Sequence, residues 1–439
     1  LPPTSTNYAW PALERLIMTN AAGLYLQSGA GLLVFAVIAW LFSTNRKATR
    51  WRLAVTGIAI QVLVAFALTR LPGIRRGFDV LNDAIVALQG ATESGASFVF
   101  GFLGGGVQPF TADPPGSDYV LAFRALPLIL VLSALTSLLT YWRILPFIVR
   151  GFAFILEKTF GIGGAVGLGA SANVFLGMVE APLFVRPYLA RLSSSELFVL
   201  MCTGMATIAG TVLVLYAAFL SPVIDDAIGH LLVASIISVP AAITMAHLLV
   251  PETEAITEGD YEPANHSTNA IAAIAEGTQE GLNLCLQIAA MLIVLIALVS
   301  LANMICVALL PDMGGEPVTI ERMLGFLMAP LAWLTGIPWR EAIPAGQFLG
   351  VKLVLNEFVA YREFADAATE FSPRSRLIML YAMSGFANIG SLGIMIGGLG
   401  AMVPERRTEI IRLGPIAVLG GLLATLSTGA VIGLVELSR

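Results

Sequence analysis

The sequence is short of charge. Only 12% of its 439 residues are Asp, Glu, Lys or Arg, about half of the roughly 25% found in a water-soluble domain, so the chain cannot cover a water-facing surface. Cysteine is sparse as well. Cys202, Cys285 and Cys306 lie in apolar stretches without the spacing of a disulfide framework or a zinc site, and they read as small hydrophobes. The three histidines, His230, His247 and His266, do not cluster, which argues against an imidazole metal site or base. A net charge of -5 offers nothing to nucleic acid. No phosphate-binding loop, nucleophile elbow or metalloprotease motif occurs, so an enzyme or ATP-driven pump is not expected, and no cofactor is implied. Leu1 to Asn20 mixes Pro, Asn, Arg and Glu and has no apolar core of the signal-peptide kind.

What the chain does have is hydrophobic length: 57% of its residues are hydrophobic. About 20 apolar residues cross a bilayer as a helix, and eight stretches qualify, at 22–43, 53–70, 120–141, 195–220, 231–250, 283–310, 376–398 and 413–436. Backbone groups in hydrocarbon must pair internally, so these are helices, and no short alternating segments suggest a barrel. Arg46, Lys47, Arg50 and Arg52, then Arg143, Arg150 and Lys158, then Arg406, Arg407 and Arg412 fall on one face if both termini are outside. Arg70, Arg75 and Arg76 run against this, as does the acidic stretch 251–280 with Glu252, Glu254, Glu258, Asp260 and Glu262. Phe78 to Phe98, with Asp79, Asn82, Asp83, Gln89 and Glu93, suits an interfacial helix.

Two apolar regions are broken by glycine and proline, 161–192 and 324–370. Each reads as two short pieces around a break, a hairpin that enters and leaves on one side. Such backbone is tolerated at membrane depth only under protein or water. Each region carries a glutamate, Glu180 or Glu357, and each is followed by a shared signature. Gly204-Met205-Ala206-Thr207-Ile208-Ala209-Gly210 matches Gly385-Phe386-Ala387-Asn388-Ile389-Gly390-Ser391, with Thr207 27 residues after Glu180 and Asn388 31 after Glu357. On the span count the two units have opposite topology. Inverted repeats with discontinuous helices mark secondary transporters, with the site between the repeats; the plainer alternative is that Gly-x-Ala-x-x-x-Gly only lets helices pack closely.

A carboxylate at membrane depth costs roughly 2.5–3.5 kcal/mol and needs a partner, an ion, water or a polar ligand. Either glutamate is able to accept ligand hydroxyls or to carry a proton; the structural alternative is an ion pair, with Arg186 or Arg124 for Glu180 and with Lys352 or Arg362 for Glu357. Asn173, Thr207 and Asn388 are neutral oxygen donors beside breaks and suit a monovalent cation better than a divalent metal, or else a helix–helix hydrogen bond. Phe386, Phe358 and Tyr361 are candidates to stack on a planar ligand or to fill the core.

At these residues the chain resembles the concentrative nucleoside transporter family. The likeness is carried by Asn173–Leu189 with Glu180-Ala181-Pro182-Leu183, by Ser195-Glu196-Leu197 leading to Ala206–Leu213, by Asn356-Glu357-Phe358-Val359-Ala360-Tyr361, and by Gly385–Gly393, from about residue 80 onward. The resemblance implies an all-α integral membrane protein of eight transmembrane helices plus two opposed re-entrant hairpins, with an inverted repeat and scaffold and transport domains. It implies a mainly scaffold segment 1–150, the first hairpin and helices four and five at 151–250, scaffold again at 251–310, and the second hairpin and helices seven and eight at 311–439. It also implies a homotrimer in the lipid bilayer of a bacterial inner membrane, with elevator-type uptake of nucleosides or nucleoside-like molecules. By position, Glu357, Asn388 and Ser391 match ribose-contacting residues, with Phe386 beside them, and Glu180 matches a base-side residue. Sodium falls to the Asn173 and Thr207 side chains and the Leu176 and Ile208 carbonyls. Where the family has Gly-Gln-[Thr/Ser]-Glu this chain has Gly177-Met178-Val179-Glu180. Met178 and Val179 offer no comparable hydrogen bonds to a base, so altered base selectivity is expected. The alternatives are a proton-coupled symporter of a sugar-like or modified-nucleoside cargo, and a channel or nutrient sensor.

Overall fold

The computed structural model describes residues 21–110, 120–257, 267–312, 315 and 317–436. Leu1–Asn20, His266 and the acidic residues Glu258, Asp260 and Glu262 lie outside them, as do the side chains of Arg75, Arg76, Asp79 and Asn82. The described residues are helical and contain no strand. In order, α1 is Ala21–Leu41, α2 Trp51–Arg70, α3 Pro72–Phe100, α4 Leu121–Arg124, α5 Leu126–Tyr141 and α6 Ile144–Phe160. The first broken region follows as α7 Gly164–Ala172 and α8 Glu180–Leu183, then α9 Ser194–Ala206, α10 Gly210–Leu220, α11 Ala227–Leu249 and α12 Ala270–Leu309. The second half is α13 Ile320–Leu334, α14 Trp339–Val354, α15 Glu357–Ala367, α16 Pro373–Met383, α17 Ile389–Met402 and α18 Arg407–Val435.

Seven of the described helical segments are long and apolar enough to cross a membrane. Two expected spans are interrupted. The stretch 195–220 is α9 and α10 with a break at Thr207–Ala209, and 376–398 is the α16–α17 pair with a break at Ser384–Asn388. The breaks fall on the repeated signature, whose small residues let backbones meet: Gly385 has φ +139°, and a Cβ there would stand 2.7 Å from the Ala206 carbonyl. The second broken region also departs from the two-piece expectation. Gly336, with φ +105°, and Pro338 end one helix and start the next, so α13 and α14 meet at a 119° bend. The re-entrant pair is α14 and α15, which part at Leu355–Asn356.

Burial separates an inner bundle from an outer ring. The spans of α9–α10, α11 and α18 have 83–89% of their apolar windows buried, against 22% for α2 and 6% for α12. The outer helices therefore present leucine, isoleucine and valine outward, where lipid or another chain covers them. Polar bonds tie the two layers: Gln61 on α2 donates to Thr428 at 3.1 Å and accepts from Ser427 at 3.0 Å on α18, and Thr428 also meets Ser238 of α11 at 3.1 Å. Such bonds are worth about 0.6 kcal/mol each in a membrane.

The ends of the bundle agree with an even number of crossings. Tyr25 in α1 donates to the Glu436 carbonyl at 3.4 Å, so the beginning of α1 and the end of α18 share a side. Arg70, which ran against the loop-charge pattern, donates to the Val435 carbonyl at 2.7 Å, and Arg374 to that of Gly433 at 2.5 Å. These cations face the negative end of α18. At the opposite end lie the basic loops. The Thr44 N–H donates to the Leu249 carbonyl at 2.8 Å, and Arg406 to that of Leu192 at 2.6 Å. There α9 starts with a capping box of Ser193 and Glu196, and Glu196 also accepts the Thr257 N–H at 2.8 Å and its hydroxyl at 2.6 Å.

Gly385→Ala adds a Cβ at a left-handed position against the Ala206 carbonyl. It is expected to destabilise the protein by about 1–3 kcal/mol, read as a lower unfolding temperature in detergent, whereas Gly393→Ala, which meets open space, leaves it unchanged or raised.

Candidate functional site

The second break builds a carboxylate site. The chain restarts after each interruption with an asparagine cap: the Asn356 side chain accepts the Val359 N–H at 2.9 Å, and the Asn388 side chain accepts that of Ser391 at 2.7 Å. Glu357 is thus the first residue of α15, 4% exposed, at a positive helix end. Both its oxygens are occupied. The Tyr216 hydroxyl donates to Oε1 at 2.6 Å and the Asn388 amide to Oε2 at 2.9 Å. One acid therefore joins the hairpin, α10 and the start of α17. No ion pair holds it: Arg362 pairs with Asp366 at 2.8 Å, and Lys352 donates elsewhere. Asn388 spends its amide on Glu357 and its oxygen on the Ser391 N–H, while the Ser391 hydroxyl makes no hydrogen bond among the described residues. Phe386 stands half-buried two residues before Asn388. These bonds join Glu357, Asn388 and Ser391, and Phe386 adjoins them along the chain. Phe358 and Tyr361 flank Tyr216, with ring centroids 6.3 and 5.1 Å away. The latter's hydroxyl donates to the Leu380 carbonyl at 2.7 Å, so both serve as walls behind the acid.

The first break builds an oxygen-rich junction. Asn173 caps the end of α7 and is fully buried; its amide donates to the Thr203 hydroxyl at 3.1 Å, and its Oδ1 has no partner. A buried acceptor left so is costly, roughly 1–3 kcal/mol. Thr207, also buried, donates its hydroxyl to the Thr203 carbonyl at 2.9 Å and keeps its oxygen lone pairs free to accept. The hairpin loop and the break are stitched together: the Gly210 N–H donates to the Phe175 carbonyl at 2.9 Å, and Ser235 of α11 to the carbonyls of Val174 at 3.1 Å and Ile208 at 3.5 Å. Leu176 and Ile208 are both buried at this junction. The orphaned Asn173 oxygen, the Thr207 hydroxyl and convergent carbonyls at helix C-termini form a donor set that fits a monovalent cation. No group of three His, Cys, Asp or Glu among the described residues forms a metal site of another kind.

Glu180 departs from expectation. It opens α8, makes no ion pair with Arg186 or Arg124, and is exposed, unlike Glu357. Its carboxylate folds over Gly177, where a Cβ would stand 2.1 Å from Oε2, and backbone N–H groups at the tip and Glu280 of α12 lie within its electrostatic reach. The four-residue helix is too short to carry the acid into the core, so Glu180 lines a recess, with protein on most sides and an opening on one. Among the described residues no hydrogen bond joins it to Glu357. Its neighbours turn inward: Met178 is buried against Gly204, and Val179 packs on Gly398, whose added Cβ would meet the valine at 2.7 Å. The hairpin tip is therefore apolar where it touches α9 and α17.

Four polar residues escaped the sequence reading as site residues: Tyr216, Thr203, Ser235 and Lys352. Tyr216 looked like any aromatic in an apolar span. Only its spacing, nine residues past Thr207, placed it one membrane layer from the break.

Family models match most of the chain. Residues 30–103 match the Na+ dependent nucleoside transporter N-terminus, 122–223 Nucleoside recognition, and 230–433 the Na+ dependent nucleoside transporter C-terminus. An uncharacterized transporter of Haemophilus influenzae is 37% identical over 418 residues, 93% of this chain and 97% of that one. The nucleoside permease NupC of Helicobacter pylori is 34% identical over 414 residues, again 93% and 97%. The solved structure of CNTnw in an inward-facing substrate-bound state is 35% identical, with a TM-score of 0.85 over 93% of this chain and 98% of that one. Outward-facing and intermediate forms of CNTnw match with TM-scores of 0.84 to 0.86.

The orphaned Asn173 oxygen leads to one expected outcome. Sodium chloride, against choline chloride, raises the unfolding temperature of the purified protein, and Asn173→Ala removes that difference; equal shifts in both salts or in both proteins would refute the cation junction.

Proposed function

The chain belongs to the Na+-dependent nucleoside transporter family, and from it we propose sodium-driven import of nucleosides or nucleoside-like compounds across a bacterial inner membrane. The protein would work as a homotrimer, with the two hairpins and their broken helices moving as an elevator against a scaffold of 1–150 and 251–310. The observation that carries this reading is the acid at the second break. Glu357 is held buried and oriented by Tyr216 and Asn388, with lone pairs left for a diol beside the Ser391 hydroxyl. Charge-assisted bonds of this kind are worth about 1.5–3 kcal/mol each, and Phe386 supplies an adjacent flat face. Ribose-like recognition is assigned to Glu357, Asn388, Ser391 and Phe386, and the base side to Met178, Val179 and Glu180.

Sodium couples through the first break. Without a cation, the Asn173 oxygen is unsatisfied and the helix ends facing it carry partial negative charge. A sodium ion accepted by Asn173, Leu176, Thr207 and Ile208 relieves both and fixes the hairpin tip that bears Met178, Val179 and Glu180. Cargo then finds a finished surface only when sodium is present. One charge crossing 100 mV contributes about 2.3 kcal/mol, enough to concentrate cargo roughly fiftyfold. Here the ion is co-substrate, and the chain's contribution is the donor set and the tip it steadies.

A second reading rests on the tip. Glu180 has no ion partner and Met178 and Val179 offer a base no hydrogen bonds, which favours a proton-coupled carrier of a sugar-like or modified-nucleoside cargo. Proteoliposomes decide between the two. Radiolabelled uridine or adenosine is expected to accumulate under an inward sodium gradient, and Glu357→Gln is expected to weaken uptake about 10- to 100-fold, the factor that losing one charge-assisted bond gives. Accumulation driven by a proton gradient and indifferent to sodium would transfer coupling to an acid, and unsaturable flux would make the protein a channel. Met178→Gln with Val179→Thr is expected to broaden the range of nucleosides carried; an unchanged range would remove these positions from base readout.

A further inference from the structure

Lys352 is a fully buried lysine that the transport scheme above leaves unused. It lies in the last turn of α14, two residues before that helix ends, and is 0% exposed. Its ammonium donates to the Ala382 carbonyl at 3.1 Å and to the Thr425 hydroxyl of α18 at 2.8 Å. Ala382 is the penultimate residue of α16, so its carbonyl is one of those an interrupted helix leaves without an internal partner. Glu357 is within its electrostatic reach, but no ion pair forms.

The two repeats can be compared at the places where their helix ends meet. In the first, the hairpin helix α7 ends against the last turn of the interrupted helix α9, and the side chain at that meeting is Asn173, bonded to Thr203 and left with a bare oxygen. In the second, the hairpin helix α14 ends against the last turn of the interrupted helix α16, and the side chain at that meeting is Lys352. Both meetings gather two helix C-termini, each with roughly half a negative charge, in surroundings without water to screen them. One meeting carries an amide with an unsatisfied side-chain acceptor; the other carries an amine that donates two hydrogen bonds, one of them to an end carbonyl of α16. The Glu357 carboxyl lies within electrostatic reach of this second meeting.

We propose that the Lys352 ammonium is a tethered counterpart of the coupling sodium: it permanently satisfies the convergent helix ends of the second repeat, as a free ion does transiently in the first. The second repeat is thereby locked, the Glu357 cargo site stays assembled in every state, and the ion dependence of transport is confined to the first repeat. This inference rests on the sodium-coupled reading.

Lys352→Gln tests it, because a carboxamide in place of the ammonium recreates the Asn173 arrangement. In proteoliposomes, uridine uptake by Lys352→Gln is expected to need more sodium than the wild type and to rise more steeply with it. The Hill coefficient for sodium should move from about 1 towards about 2, as expected when a second site must fill. Lys352→Arg keeps the charge and is expected to keep the wild-type steepness. Sodium-dependent unfolding of the purified variants gives a readout independent of transport. Lys352→Gln should gain more from sodium over choline than the wild type does, and Lys352→Arg should gain the same as the wild type. A Lys352→Gln sodium curve with the wild-type midpoint and steepness, or a Lys352→Arg curve as steep as the expected Gln one, overturns the proposal while leaving sodium coupling intact. A wild-type protein that transports without sodium overturns the coupling reading and this inference with it.

Discussion

A helix interrupted inside hydrocarbon strips carbonyls and amides of partners where water cannot replace them, and the arrangement of this chain follows from how it satisfies them. Four interruptions among the described residues, at 173–179, 207–209, 355–356 and 384–388, are brought together in pairs, hairpin against broken helix. In the second pair the restarting helices are capped by Asn356 and Asn388, and the acid between them is gripped by Asn388 and Tyr216. In the first pair neither restart has a side-chain cap, and an amide oxygen is left bare. The same covalent plan yields one finished half and one unfinished half. The proposed sodium coupling draws on this inequality: a chain with both halves complete would have nothing for the ion to do.

Much of this was legible in the sequence. Low charge, eight apolar stretches and two punctuated regions gave the membrane class. The repeated signature marked the breaks in the spans, because a small residue is required wherever two backbones touch, as Gly385 and Ala206 do. Glu357, Asn388 and Ser391 could be grouped because a buried acid and a capping asparagine each have few acceptable surroundings. The region 324–370 reads as two pieces and folds as three for a physical reason: glycine and proline, as at Gly336 and Pro338, report that a helix ends, but not whether the chain then turns back or crosses. Glu180 was judged by its apolar neighbours, and a four-residue helix at a hairpin tip leaves its first side chain at an opening whatever its neighbours are. Tyr216 and Ser235 stayed hidden because a hydroxyl inside an apolar span has no local signature. Its partner lies 141 residues away in one case and 61 or 27 in the other.

Under the proposed function, the apolar hairpin tip would set the chemistry of the cargo boundary. Met178 against Gly204 and Val179 against Gly398 make contacts that depend on shape rather than on hydrogen bonds. In the proposed transporter, discrimination there would be limited to the roughly 1–3 kcal/mol that hydrophobic fit provides, whereas the acid-and-amide side would reject any ligand lacking the groups to pair with it. Specificity would thus be divided unequally between the halves, strict at Glu357 and permissive at the tip.

The length of α12 sets a limit on where the membrane boundary lies. Forty residues rise about 60 Å, twice the roughly 30 Å of hydrocarbon, so an upright α12 has half its length beyond the oil. Glu276, Gln279, Glu280 and Asn283 all lie in its first half, which fixes that half as the projecting end. Glu280, which lies within electrostatic reach of Glu180, therefore sits in the projecting half, beyond the oil. A hydrated vestibule at that level would let ions and cargo reach the hairpin tip by diffusion, and it would make the outer strut of the protein the wall of its own entrance.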